Sequence, residues 1–173
     1  MTATIEAGKL ALSFLPNVEV VTLLCAVYGY VFGPIGLISV SFFILIETFI
    51  YGVHTWVISY IIHWNLICLV FWIIRKKVTN RFLLTIVALI FVTLFGVLTS
   101  FIDTLIFNGV SDSFWEEFAA LYMRGIWFYV TEIICNLILF PICFVPLAKV
   151  LTKFKLKYFG KKKKLDVEQL QNN

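Results

Sequence analysis

Charge is scarce in this chain: Asp, Glu, Lys and Arg make up 14% of 173 residues, against 61% hydrophobic residues and a mean hydropathy of +0.98. That balance excludes an ordinary soluble domain and fits a polytopic helical membrane protein. Short alternating strands are also missing, because the apolar runs are long and continuous, which speaks against a β-barrel. Histidine occurs only as His54 and His63, too few and unsupported for a zinc site, and no Ser/His/Asp or Cys/His set is evident. Without a Walker-type glycine loop the chain is not expected to hydrolyse ATP by that route. The first residues lack the basic start, apolar run and small-residue cleavage site of a cleavable leader. The four cysteines, Cys25, Cys68, Cys135 and Cys143, lie inside apolar runs without metal-ligand spacing and read as small hydrophobes. No metal and no cofactor is expected.

The charges that are present are unevenly placed. Arg75, Lys76, Lys77 and Arg81 cluster between two apolar runs, and Lys153, Lys155, Lys157 and Lys161 to Lys164 follow the last one. Positive clusters mark cytoplasmic ends of membrane helices. The basic tail is expected to meet the anionic lipid bilayer rather than nucleic acid.

Apolar length with Gly, Pro or charge punctuation predicts six helices, over 2–15, 18–32, 35–51, 56–74, 82–107 and 122 to about 150. The expected fold is an all-α membrane protein of six transmembrane helices with both termini cytoplasmic. Residues 1–152 would form the membrane domain and 153–173 a basic cytoplasmic tail. Segments 16–19, 52–55 and 108–121 then lie outside; they hold Glu19, Asp112, Glu116 and Glu117 but no Lys or Arg. The first helix is short: about 14 residues rise roughly 21 Å, less than the ~30 Å hydrocarbon core. Either it spans part way, or the written start lies inside the natural first helix.

The stretch from Tyr122 to Pro146 is long enough to cross a bilayer, yet carries Arg124, Glu132 and Asn136. Ionisable groups at membrane depth are costly and usually face a protein interior or a wet cavity. Four-residue steps through Arg124, Phe128, Glu132 and Asn136 drift about 40° each, making one slanted stripe. With the topology above, Glu47 lies about a turn below the outer end of the third helix. His63 lies two turns down the fourth, on a face with Trp56 and Tyr60. Asp103 continues a small-polar face of Gly96, Thr99 and Ser100 on the fifth. A polar pocket opening outward explains why these positions share the outer half of the membrane.

Each residue also has a purely structural reading. Arg124 would pair with Asp103 or Glu132 to hold helices together, and Glu47 would be a neutral acid bonded to a backbone carbonyl. His63 would be a satisfied interior histidine, and Trp56, Tyr60, Trp115 and Trp127 an interfacial aromatic belt. In the functional reading, the rings stack on a flat organic ligand and the charged groups bond its polar edge.

Ala3, Ala7 and Ala11 recur at four-residue intervals, a spacing of small residues that lets another helix approach closely. Together with the run from Leu12 to Leu24 and the turn Phe32-Gly33-Pro34, this stripe resembles the substrate-binding S component of energy-coupling factor (ECF) vitamin transporters. The six-helix plan and length are similar too, so the resemblance covers about 1–155. It implies a subunit of the prokaryotic plasma membrane that binds a vitamin or precursor near the outer face. Such a subunit assembles with a transmembrane coupling protein and two ABC ATPases, and releases its ligand inside by toppling. The resemblance maps the coupling-protein contact to Ala3 and Ala7, and the pocket to segments near Asn17, Trp56 and Asp112. Glu6 and Lys9 are unusual in that first helix, and Lys9 is expected to line the pocket. The expected substrate-binding set is Lys9, Asn17, Glu47, Trp56, Tyr60, His63, Asp103, Arg124 and Glu132.

Two other classes compete. A stand-alone secondary transporter would show repeated halves with broken helices, and none is seen. An intramembrane enzyme is suggested only by Glu116-Glu117 followed by Arg124, which superficially resembles CAAX-type membrane proteases. Here the arginine falls seven residues beyond the pair, which itself sits in an outer segment; no enzyme is expected. Acids, an arginine and several rings suit a heteroaromatic ligand such as hydroxymethylpyrimidine or a pyridoxine-type vitamin, with cobalamin or pantothenate as alternatives.

Overall fold

A computed structural model describes residues 1–16 and 18–171, with side chains over 1–16 and 18–159. Six α-helices follow one another: α1 (Thr2–Leu12), α2 (Val21–Phe32), α3 (Pro34–Tyr51), α4 (Thr55–Ile74), α5 (Arg81–Phe107) and α6 (Phe114–Gln171). Their starts have local causes. Glu19 Oε2 accepts from the Thr22 backbone N–H at 2.8 Å, satisfying one of the free amides at the head of α2. Gly33, at φ +62°, makes the turn into α3, and Pro34 opens that helix where a missing N–H costs nothing. Asn80 caps α5 through Oδ1, 2.8 Å from the Phe82 N–H.

Four helices, α3, α4, α5 and the Phe114–Phe159 part of α6, are long and apolar enough to cross a membrane. The other apolar helix, α2, has 12 residues and rises about 18 Å. It is the centre of the bundle: ten of those 12 residues are buried, and it touches all five other helices. Close approach to α4 is possible because position 29 is glycine; a Cβ there would stand 2.1 Å from the Cys68 carbonyl oxygen. Gly36 does the same for α3 against the Tyr28 backbone. Between helices in lipid, packing replaces the hydrophobic drive, and small residues supply it.

Cross-links between helices fix the two ends of the bundle. Lys9 meets Glu47, and Asn136 meets Glu19, at one end. At the other, Tyr30 Oη donates to the Val78 carbonyl at 3.2 Å and Lys155 Nζ to the Val31 carbonyl at 2.6 Å. The first end carries the loops around 13–20, 52–54 and 108–113, and the second the basic turn between α4 and α5.

Four boundaries differ from expectation by three residues or more: α1 ends at Leu12 rather than 15, α2 begins at Val21 rather than 18, and both ends of α6 lie further out. The sixth helix begins at Phe114 rather than near residue 122, because Glu116 and Glu117 sit in its first turn, where negative charge faces the positive helix end. It also continues past residue 150 as helix through the lysines to Gln171, lysine being a good helix former. Pro141 and Pro146 lie inside it. All four cysteines are free, three of them buried.

Candidate functional site

At the end that lacks the basic turn, the bundle encloses a cavity of about 330 Å³ with a contribution from every helix. Lys9 comes from α1, Val21 from α2, Tyr51 from α3, Tyr60 and Trp64 from α4, Phe95 from α5 and Glu132 from α6. Glu19, in the segment before α2, completes its polar wall. A side hollow of about 230 Å³ shares Lys9, Tyr51 and Tyr60 with it and adds Glu47 and Trp56.

Lys9 is the one cation among these lining residues. It is ion-paired with Glu47 Oε2, and its ammonium stands 4.6 Å from the Tyr51 ring centre and 6.0 Å from that of Tyr60. Ring faces attract cations at such distances. Trp56, Tyr60 and Trp64 climb one face of α4 in edge-to-face contact, with centroids 4.8 and 5.7 Å apart. The rings form a wall, and Glu19, Glu47 and Glu132 add the acids of the lining.

Those acids have different duties. Glu19 is occupied twice, by the Thr22 N–H and by Asn136 Nδ2 at 2.9 Å, so it ties α6 to the head of α2. Glu132, 3% exposed, keeps Oε2 without a protein partner, as do Glu47 with Oε1 and Trp64 with its indole Nε1. A buried polar group left unpaired costs about 1–3 kcal/mol, so these two acceptors and one donor, all on cavity-lining residues, mark unmet hydrogen-bonding capacity at this end of the bundle.

Of the nine residues expected to bind substrate, Lys9, Glu47, Trp56, Tyr60 and Glu132 gather around these two hollows. His63 is buried behind the wall, its ring 4.5 Å from Phe95 and 4.6 Å from Trp64, with Nε2 unpartnered. Asp103 is half-buried on α5 and Arg124 exposed on α6, and neither lines the cavity. They form no ion pair with each other or with Glu132 among the described residues. Asn17 lies outside the described residues. The stripe from Arg124 to Asn136 slants from surface to interior, Arg124 and Phe128 being exposed and Glu132 and Asn136 buried. The Gly96–Ser100 face is taken up by α6: the Tyr129 ring lies on Gly96, and its hydroxyl is 3.1 Å from Ser100 Oγ.

Sequence reasoning passed over Glu19, Tyr51, Trp64 and Phe95. Trp64 had a signal, standing four residues after Tyr60 and eight after Trp56 on one helix face. Trp115 and Trp127, in contrast to Trp56, are exposed on α6. On α1, Ile5 and Gly8 face the bundle while Ala3, Ala7 and Ala11 are all exposed. Among the described residues no group of three His, Cys, Asp or Glu side chains is placed to hold a metal ion.

No family model, no curated protein and no solved structure matches the chain.

Proposed function

We propose that this chain captures a small, flat, nitrogen-containing solute in the cavity beside Lys9, Trp64 and Glu132, as the S component of an ECF-type importer. One observation carries the reading: around a volume suited to a small molecule, an aromatic wall that includes Trp64, whose indole N–H is unpartnered, shares the lining with Glu132 and Glu47, each keeping one buried carboxylate oxygen without a partner. Three carboxylates, Glu19, Glu47 and Glu132, face one lysine, which favours a guest rich in N–H donors or carrying positive charge. A hydroxymethylpyrimidine or pyridoxine-type ligand meets that description. Cobalamin is far too large for hollows of about 330 and 230 Å³.

In this reading all six helices belong to the membrane domain, in a prokaryotic plasma membrane, with both termini on the cytoplasmic side. The cavity faces outward and the basic turn inward, in keeping with the preference of Lys and Arg for the cytoplasm. Release inside falls to a coupling protein and two ABC ATPases, docked on the exposed Ala3, Ala7 and Ala11 stripe of α1. Toppling needs a surface that lipid tolerates at many angles, and exposed residues such as Phe42, Phe49, Ile90 and Ile138 supply it.

Mass spectrometry of purified protein released from native membranes tests the capture reading, together with titration of a panel of B vitamins and their precursors. One bound solute per chain with a heteroaromatic ring is expected. No saturable binding anywhere in the panel, with no co-purified solute, would sink it.

A further inference from the structure

At the opposite end of the bundle a second groove, of about 380 Å³, runs between the start of α5 and the later part of α6. Its wall is apolar, from Leu84, Phe144 and Val145, and its rim carries Lys149 and Lys153 with the Thr79 and Thr152 side chains. Both lysines are exposed, and neither is ion-paired among the described residues. The imbalance extends well beyond the groove. No Asp or Glu occurs in 20–46, 48–102 or 133–159, while Arg75, Lys76, Lys77, Arg81, Lys149, Lys153, Lys155 and Lys157 all do. Lys155 is the one tied down, donating to the Val31 carbonyl at the end of α2.

We infer that this groove holds an anionic phospholipid, with an acyl chain along the partly exposed Tyr30, Val145 and Ala148 and the headgroup phosphate between Lys149 and Lys153. The occupant must be apolar below and anionic above. Phe82, Leu83 and Val150, next in sequence to or near lining residues, are exposed apolar side chains of the kind that suits acyl chains. An acidic protein surface would answer the lysines but not the apolar floor, and free phosphate would answer neither the floor nor its length. A basic pocket at the boundary between helices and headgroups is the setting in which anionic lipids bind selectively, each lysine raising affinity about fivefold.

The test is native mass spectrometry of the purified protein titrated with phosphatidylglycerol or phosphatidylcholine, compared with the Lys149→Gln/Lys153→Gln variant. Saturable retention of one phosphatidylglycerol is expected, at least about fivefold weaker in the double variant. Lys157→Gln, which alters charge at the same end without touching the groove, should leave it unchanged. Ala148→Phe, which fills the groove and keeps both lysines, should expel the lipid. Equal retention of phosphatidylcholine overturns the site in favour of unspecific lipid adhesion, and an equal loss from Lys157→Gln overturns it in favour of unspecific charge. Displacement by millimolar inorganic phosphate reassigns it to a free anion and overturns it too. Thermal melts of each variant confirm folding, and retention by a folded Ala148→Phe protein also counts against the groove.

Discussion

Lys9 of α1 is ion-paired with Glu47 of α3, 38 residues away, and the carboxylate is the buried member, its side chain 1% exposed against 27% for the lysine. The pair ties the shortest helix to α3, and Lys9 lines both hollows while Glu47 lines the smaller one. α1 is also held by its fully buried Ile5 and by the Thr2 hydroxyl, which donates to the Ser39 carbonyl at 3.0 Å.

Lys9→Met leaves the Glu47 carboxylate buried without its countercharge, a change that costs about 3 kcal/mol or more. The Lys9→Met/Glu47→Leu double variant removes both charges and should recover most of that loss. Thermal unfolding in detergent reads the difference; equal melting temperatures for the single and double variants would refute the coupling.

Glu132→Gln and Trp64→Phe should each lower ligand affinity about tenfold, because the first turns an acceptor oxygen of a lining residue into a neutral donor and the second removes an N–H, neither of which has a protein partner. Trp64→Phe also trims a core side chain and should cost roughly 1–3 kcal/mol of stability, so affinity is read on the folded protein. Arg124→Ala, on an exposed face, should leave affinity within about twofold, as expected for a surface substitution remote from the site. Calorimetric titration compares the three. A tenfold loss from Arg124→Ala with none from Glu132→Gln would move the site to the far side of α6.

Gly29→Ala drives a Cβ into the Cys68 backbone and should destabilise by about 3 kcal/mol, the upper part of the overpacking range. Gly109→Ala is the control: φ is +67° but nothing lies within 4 Å, so only backbone strain of about 1 kcal/mol is expected. Melting temperatures ordered the other way would mean that α2 and α4 do not cross so closely.

Ala7→Trp places a large ring on the exposed side of α1. Ligand binding should persist while co-purification of a coupling protein and its ATPases falls by about tenfold or more. Loss of ligand binding as well would show instead that the substitution disturbs the packing of α1.

Helix boundaries were legible where glycine, proline or an asparagine cap punctuates the chain, as at Gly33-Pro34, Gly52 and Asn80. They were less so where polar residues extend a helix: Glu116 and Glu117 read as loop, yet they favour the first turn of α6. From sequence, Glu47 is expected to bind substrate or, in the structural reading, to bond a backbone carbonyl; its partner in the structure is Lys9. No local pattern announces a pairing across 38 residues.

By itself, the sequence determined the number of helices, the apolar lengths that suit a membrane and the basic end, because apolar length and charge clusters act locally. Only the tertiary structure decided that Trp64 rather than His63 reaches the cavity, and that Glu132 points inward while Arg124 does not. The reason is the solvent. In a bilayer, lipid-facing and core-facing sides of a helix are both apolar, so hydrophobic periodicity sets no rotation. The rotation comes from close backbone crossings such as Gly29 on Cys68.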